Sequence, residues 1–134
     1  GRISSGSAKK WIDIERFSTV ESCFQRLKED RYKIYSTSII ENKKNHSLYE
    51  LDLTKNTALV FGNEHTGVSE EVKQLADKNF MIPMYGMVQS LNVSVAVAIC
   101  LYEGLRQREL KGMYNRSKYT KSELKEKSEI YSRK

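Results

Sequence analysis

Cysteine is scarce in this chain of 134 residues and proline almost absent: Cys23, Cys100 and Pro83 are all there is of either. Two cysteines do not make a disulfide framework, and Cys100, inside an apolar helical run, suits a buried reduced thiol. No stretch reaches the roughly 18 apolar residues of a membrane span. The opening Gly1-Arg2-Ile3-Ser4-Ser5-Gly6 lacks the apolar core of a signal peptide, so a cytoplasmic protein is expected. Histidine is confined to His46 and His65, in separate polar loops, and no Cys/His cluster has metal spacing, so no metal is expected. A G-x-G-x-x-G turn after a strand and a Walker-type lysine loop are missing too. What is present, 39% hydrophobic and 30% charged residues, is too apolar for a disordered chain, and the length allows one core but not two.

Charge is unevenly placed. Residues 1–104 hold 13 Lys/Arg and 13 Asp/Glu, which cancel, whereas residues 105–134 hold 10 and 4, so the formal +6 resides in the last 30 positions. Such a concentration suits a polyanion partner, because each neutralised phosphate releases counterions; a solvated basic helix that aids solubility explains it equally well. Tyr114 and Tyr119 lie among Arg116, Lys118 and Lys121, a mixture fit for phosphate contact and base stacking.

Periodicity predicts an α/β protein with a mostly parallel sheet flanked by helices. Residues 11–17 alternate apolar with polar and are expected to form a strand with one wet face. Ser18-Thr19 should cap a helix to about Asp30, followed by an alternating strand over 32–37. Residues 41–47 are polar and expected as a loop, with a short irregular or helical link over 48–55. The apolar run 57–61 stops at Gly62 as a buried parallel strand would, and Ser69 caps a helix over about 70–77. A second buried strand, 79–83, ends at the only proline. The longest helix, about 91–110, has almost no polar face in its first half and must be covered on every side, by its own chain and by a partner subunit. A weak helical pattern runs over roughly 121–131.

Two segments are placed for chemistry. In Phe61-Gly62-Asn63-Glu64-His65-Thr66-Gly67-Val68-Ser69 a buried strand runs into a glycine loop and a capped helix, where open α/β sheets bind ligands. Gly62 would admit close approach of a ligand to the backbone and Glu64 sets a carboxylate at the rim, although an ordinary strand-to-helix turn has the same outline. In residues 82–94, Ser90, Asn92 and Ser94 crowd the start of an otherwise apolar helix. One N-cap accounts for one of them, not three, and a ligand is one way to satisfy the rest.

"LVFGNEHTGVS" (59–69) and "IPMYGMVQSLNVSVAVAICLYE" (82–103) resemble the second and third motifs of the SpoU family of RNA 2′-O-ribose methyltransferases, in the SPOUT superfamily. The basic stretch 106–114 resembles, more weakly, the tail of the branch that methylates a tRNA guanosine. The resemblance covers about 57–115 and implies a C-terminal deep trefoil knot, a homodimer, and S-adenosyl-L-methionine as cofactor. By position, Gly62, Ile82, Met84 and Leu91 would line the cofactor pocket, with backbone groups of Ile82 and Met84 meeting the adenine. Glu64, Ser90 and Asn92 would be the catalytic polar groups. Arg106, Arg108, Lys111, Arg116 and Lys118 are the candidates for RNA contact. The implied activity is 2′-O-methylation of an RNA ribose, most simply a tRNA guanosine. The alternatives are a ribosomal RNA ribose, or a cofactor- or RNA-binding module without activity. Residues 1–111 would form the knotted domain and 112–134 a basic helical extension. The family's first motif, an asparagine followed by an arginine on a helix, would precede Gly1. A fragment or truncated chain that binds cofactor but transfers little methyl is therefore the expectation.

Overall fold

The structure, a computed structural model, describes residues 12–38, 45–63, 66–86 and 91–114. Helix α1, Val20–Glu29, opens where the Thr19 hydroxyl accepts the Ser22 N–H at 3.1 Å. It closes at Arg31, which is left-handed (φ 63°). The Arg31 N–H reaches the Lys28 carbonyl and the Tyr32 N–H the Leu27 carbonyl, the bond pair of a cap usually built on glycine. Strand β1 follows at Lys33–Thr37, then β2 at His46–Ser47, a 3-10 turn at Leu48–Glu50, β3 at Thr57–Val60, α2 at Glu70–Leu75, β4 at Lys78–Met81 and α3 at Val93–Leu110.

Among the described residues four strands run in the order β2-β4-β1-β3, and their pairings are parallel. Such a sheet must be covered on both faces. Tyr35 and Phe80 face Leu48, Leu51, Leu53 and Cys100 of α3, while Ile34 faces Phe24 of α1 and Val68 and Val72 near α2. Burial pushes the Cys100 thiol up to about 11, so it stays protonated and inert. Ser36 of β1 is fully buried, and its hydroxyl has no hydrogen-bond partner among the described residues.

The second half of α3 is fastened by polar contacts rather than apolar ones. Glu103, 5% exposed at its side chain, receives two bonds from the Arg106 guanidinium (2.6 and 3.0 Å) and one from Gln107 Nε2 (3.0 Å). Gln107 also accepts the Leu53 N–H at 2.8 Å and donates to the Leu51 carbonyl at 2.9 Å. Arg108 donates to the carbonyls of Leu53 and Lys55. These bonds stitch the helix to the link before β3.

Several expectations change. Residues 12–17 form no regular structure, and Ile12 and Ile14 are half exposed. Alternation alone does not make a strand, and no described strand pairs with this one. The expected polar loop gives up His46 and Ser47 to β2, drawn in because the free side of β4 needs a partner. Helix α2 stops at Leu75, not 77, because Asp77 turns back to β1: its carboxylate accepts the Ile34 N–H at 2.7 Å and its N–H donates to the Ile34 carbonyl at 2.8 Å. Among the described residues α3 is covered by its own chain on one side, and the other side is where the expected partner subunit would lie. Val95, Leu101, Tyr102 and Leu105 remain exposed. The expected helix over 121–131 lies outside the described residues.

Two outcomes follow for stability. Removing the unpaired hydroxyl with Ser36→Ala should leave stability unchanged or raise it by about 1 kcal/mol in urea unfolding; a loss of that size would mean that the hydroxyl is bonded. The Arg106 guanidinium, with Gln107, holds the Glu103 carboxyl below its usual value. Its contribution is therefore complete above the unfolded carboxyl pKa and fades as pH falls through the lower folded one. In Glu103→Gln the decline of the melting temperature between about pH 5 and pH 2 should be shallower than in the wild type; parallel curves would argue that Glu103 does not titrate with folding.

Candidate functional site

The strand order decides where ligand chemistry is possible. Both glycine-containing loops leave the carboxyl edge of the sheet, one after β3 and one after β4, and β1 lies between those strands. A ligand touching both loops must lie across the end of β1, the position where open α/β sheets hold their ligands.

The first loop folds back on itself. The Gly67 N–H donates to the Asn63 carbonyl at 3.0 Å, the Thr66 N–H donates to Asn63 Oδ1 at 2.6 Å, and Gly67 is left-handed at φ 67°. A Cβ on Gly62 would collide with the Gly67 carbonyl carbon and the Val68 nitrogen. The loop's own backbone thus requires glycine there, a nearer cause than the approach of a ligand. Ser69 then caps α2 through the Val72 N–H. Glu64 and His65 lie outside the described residues.

Beyond β4, Ile82, Pro83 and Met84 are half-buried, and Ile82 packs against the same core cluster as Phe61, beside Gly62. Ile82 and Met84 lie past the end of the strand, so their backbone groups are not committed to strand pairing. This suits the edge of a flat heterocycle such as adenine. Tyr85 is almost wholly exposed. Ser90 lies outside the described residues, and Leu91 is half-buried. Asn92 is the N-cap of α3: its Oδ1 accepts the Ser94 N–H at 2.8 Å, leaving the amide NH2 as the group free in chemical terms to donate to a ligand.

Thr37 and Ser38 are not singled out by the sequence, yet they occupy the end of β1 between the loops. The Thr37 hydroxyl donates to the Val60 carbonyl at 3.2 Å, and the Ser38 hydroxyl donates to Asn79 Oδ1 at 2.8 Å. The available signal was the polar ending Ser36-Thr37-Ser38 of a strand otherwise built for burial. Two surface grooves, about 490 Å³ between α1 and α2 and about 260 Å³ between α3 and β3, are lined by neither loop.

The residues expected to touch RNA divide in two. Arg106 and Arg108 are engaged internally, with Glu103 and with the 53–55 backbone, and Lys111 Nζ lies 3.3 Å from the Thr54 hydroxyl. Arg116 and Lys118 lie outside the described residues. Among the described residues no helix is long and apolar enough to cross a membrane, and no three His, Cys, Asp or Glu side chains gather to hold a metal ion.

The model of the SpoU rRNA Methylase family matches residues 2–102, which contain both loops and the start of α3. The chain belongs to the SpoU methylase family. It is 46% identical over 122 residues to the tRNA (guanosine(18)-2'-O)-methyltransferase of Aquifex aeolicus, covering 91% of this chain and 56% of that protein. The like-named Thermus thermophilus protein is 45% identical, covering 84% and 57%. The Escherichia coli 23S rRNA (guanosine-2'-O-)-methyltransferase RlmB is 35% identical, covering 80% and 42%. Among solved SpoU structures, the A. aeolicus TrmH/SpoU tRNA modifying enzyme superposes with a TM-score of 0.73 at 42% identity, over 94% of this chain and 64% of that one. The SpoU methyltransferase AviRb of Streptomyces viridochromogenes, in complex with AdoMet, gives 0.58 at 28% identity, over 67% and 36%. This SpoU chain spans about half the length of the curated relatives it matches.

The two loop glycines should respond differently to alanine. Gly62→Ala should cost about 3 kcal/mol or more, because its Cβ meets backbone that cannot move aside. Gly67→Ala, with nothing within 4 Å, should cost only the left-handed backbone, about 1–2 kcal/mol. Equal costs in denaturant unfolding would contradict the folded-back loop.

Proposed function

We propose that this protein binds S-adenosyl-L-methionine and methylates a ribose 2′-hydroxyl in RNA, most simply a tRNA guanosine. The observation that carries this is the pair of SpoU-like loops leaving one edge of a parallel sheet on either side of β1. The 45–46% identity to tRNA guanosine enzymes supports tRNA over ribosomal RNA, for which the matching relative is at 35%.

In this reading Gly62, Ile82, Met84 and Leu91 hold the cofactor, with free backbone groups of Ile82 and Met84 reading the adenine edge. When bound, the cofactor supplies a methyl group made electrophilic by a sulfonium, so no metal is required. The residues of the chain then align the ribose and ease removal of its proton. The Asn92 amide NH2 and Ser90 orient the ribose hydroxyl, and Glu64 holds a basic group or the substrate. In this reading the C-terminal part of the domain is a deep trefoil knot, whose loops hold the ligand. Residues 1–111 act as the methyltransferase domain and 112–134 as a basic extension whose Arg116 and Lys118 join Arg106, Arg108 and Lys111 in facing RNA, in the cytoplasm.

The functional unit is a homodimer. The exposed stripe of Val95, Ala98, Leu101, Tyr102 and Leu105 along α3 supports this, because such an apolar face recurs at helical spacing and needs a cover. Light scattering should give a dimer at micromolar concentration for the wild type and a folded monomer for Leu101→Glu, whose new charge would be stranded in the interface. A monomeric wild type would remove the dimer.

Calorimetry should find S-adenosylmethionine binding together with a rise in melting temperature. In an enzyme that also carries the family's asparagine–arginine motif, Asn92→Ala should retain that binding within about twofold while methyl transfer to a tRNA transcript falls by about 100-fold, the loss expected when ribose alignment fails. Absence of any cofactor binding to folded wild-type protein would dispose of the proposal.

A further inference from the structure

We propose that the amino-terminal edge of the sheet, at the end opposite the two loops, is a second contact surface for RNA phosphates, built from Arg31, Lys33, Lys55 and Lys111. The inference rests on the RNA-methyltransferase reading and deepens it, naming where the substrate backbone is held away from the reacting ribose.

Three segments distant in sequence bring these cations together. The Lys33 N–H donates to the Asn56 carbonyl at 2.9 Å and Lys33 pairs with Thr57, which seats it beside Lys55. Lys111, just past the end of α3, reaches the Thr54 hydroxyl of the same link. Arg31 stands two positions before Lys33. All four are exposed, and none takes part in the ion pairs formed among the described residues.

With Arg108 the cations number five, against three carboxylates nearby, Asp30, Asp52 and Asp77. Asp77 accepts the Ile34 N–H, Asp30 accepts from Arg26, and Asp52 accepts the N–H and hydroxyl of Thr54. The Thr54 bonds, with smaller pulls from Lys111 and Lys55, hold the Asp52 carboxyl below its ordinary value, which places both lysines within electrostatic reach of Asp52. The Arg108 guanidinium, bonded among the described residues to the Leu53 and Lys55 carbonyls, adds charge behind the link without neutralising it. The edge is therefore positive overall, as a phosphate backbone requires.

Arg31 is the second, independent observation. It occupies a left-handed position (φ 63°) at a helix end where glycine is the unstrained residue. An exposed arginine at a position that favours glycine costs backbone strain, which a phosphate contact would offset. Tyr114, exposed and sharing the groove beside β3 with Thr57 and Arg108, adds an aromatic face at the rim of the patch. The chain continues into residues 115–134 with seven Lys/Arg and three Glu, so the charge continues too. Strands of four or five residues separate this edge from the loops by roughly 15 Å, so the two surfaces touch different nucleotides of one RNA.

The test is filter binding of a tRNA transcript to the intact protein across a salt titration. Lys33→Gln with Lys55→Gln should weaken binding about tenfold or more near 0.1 M salt and flatten the slope of log K against log salt by about 1.5–2. S-adenosylmethionine affinity should stay within about twofold, because the cofactor loops lie at the other edge. Arg31→Gly should raise the melting temperature while weakening tRNA binding, two effects that a purely structural arginine would not combine. Wild-type binding with unchanged affinity and slope in the double variant would overturn the patch alone. A wild type that binds no tRNA at all would overturn the RNA reading beneath it.

Discussion

The geometry of this protein depends on β1 being hydrogen-bonded along both edges. With β3 on one side and β4 on the other, it sets the spacing between the two loops, buries Ile34 and Tyr35 on opposite faces, and anchors α2's exit through Asp77. The loops are separated by 20 positions in sequence, and neither contacts the other through a shared strand. Their convergence is a property of the sheet. Any change that shifts β1 by one register step would exchange its two faces and move both loops at once.

Elements whose signal is local were legible in the sequence. The Ser69 cap, the apolar stop at Gly62, the strand before Pro83 and the long helix all lie close to where their residues predict them. What escaped depends on partners distant in the chain. Residues 12–17 carry a strand pattern but no described neighbour to pair with, and His46-Ser47 carry almost none yet complete the free side of β4. The site behaves in the same way. Asn92 was expected among the functional polar groups, and its capping role is a local fact that the spacing already suggested. Thr37 and Ser38 enter only through strand order, which no single segment encodes.

At Gly62 the sequence and the structure give different reasons for glycine. A glycine after a buried strand suggests space for a ligand, whereas here the space is taken by the loop's own return at Gly67 and Val68. The arginines of α3 carry a related lesson. Arg106 and Arg108 look like tail charges in sequence, but both also serve the fold, one by neutralising a buried carboxylate and the other by satisfying two carbonyls of the link. Charge that holds structure and charge that meets a partner are interleaved within a few residues.

The polar stitching of α3 also bears on how the chain acquires its fold. Gln107 bonds to Leu53 across 54 positions and to Leu51 across 56, and Arg108 reaches Leu53 across 55. Contacts so distant in sequence are entropically costly to close and are made late, so parallel pairing and helix docking slow the search. Helix α3 is then the natural first element to detach in a partial opening, since its grip is a handful of directional bonds beside a single fully buried apolar residue, Cys100. Its departure would strip the cover from Phe80 and Tyr35 and leave a four-stranded parallel sheet with one bare face, a species prone to association with its own kind.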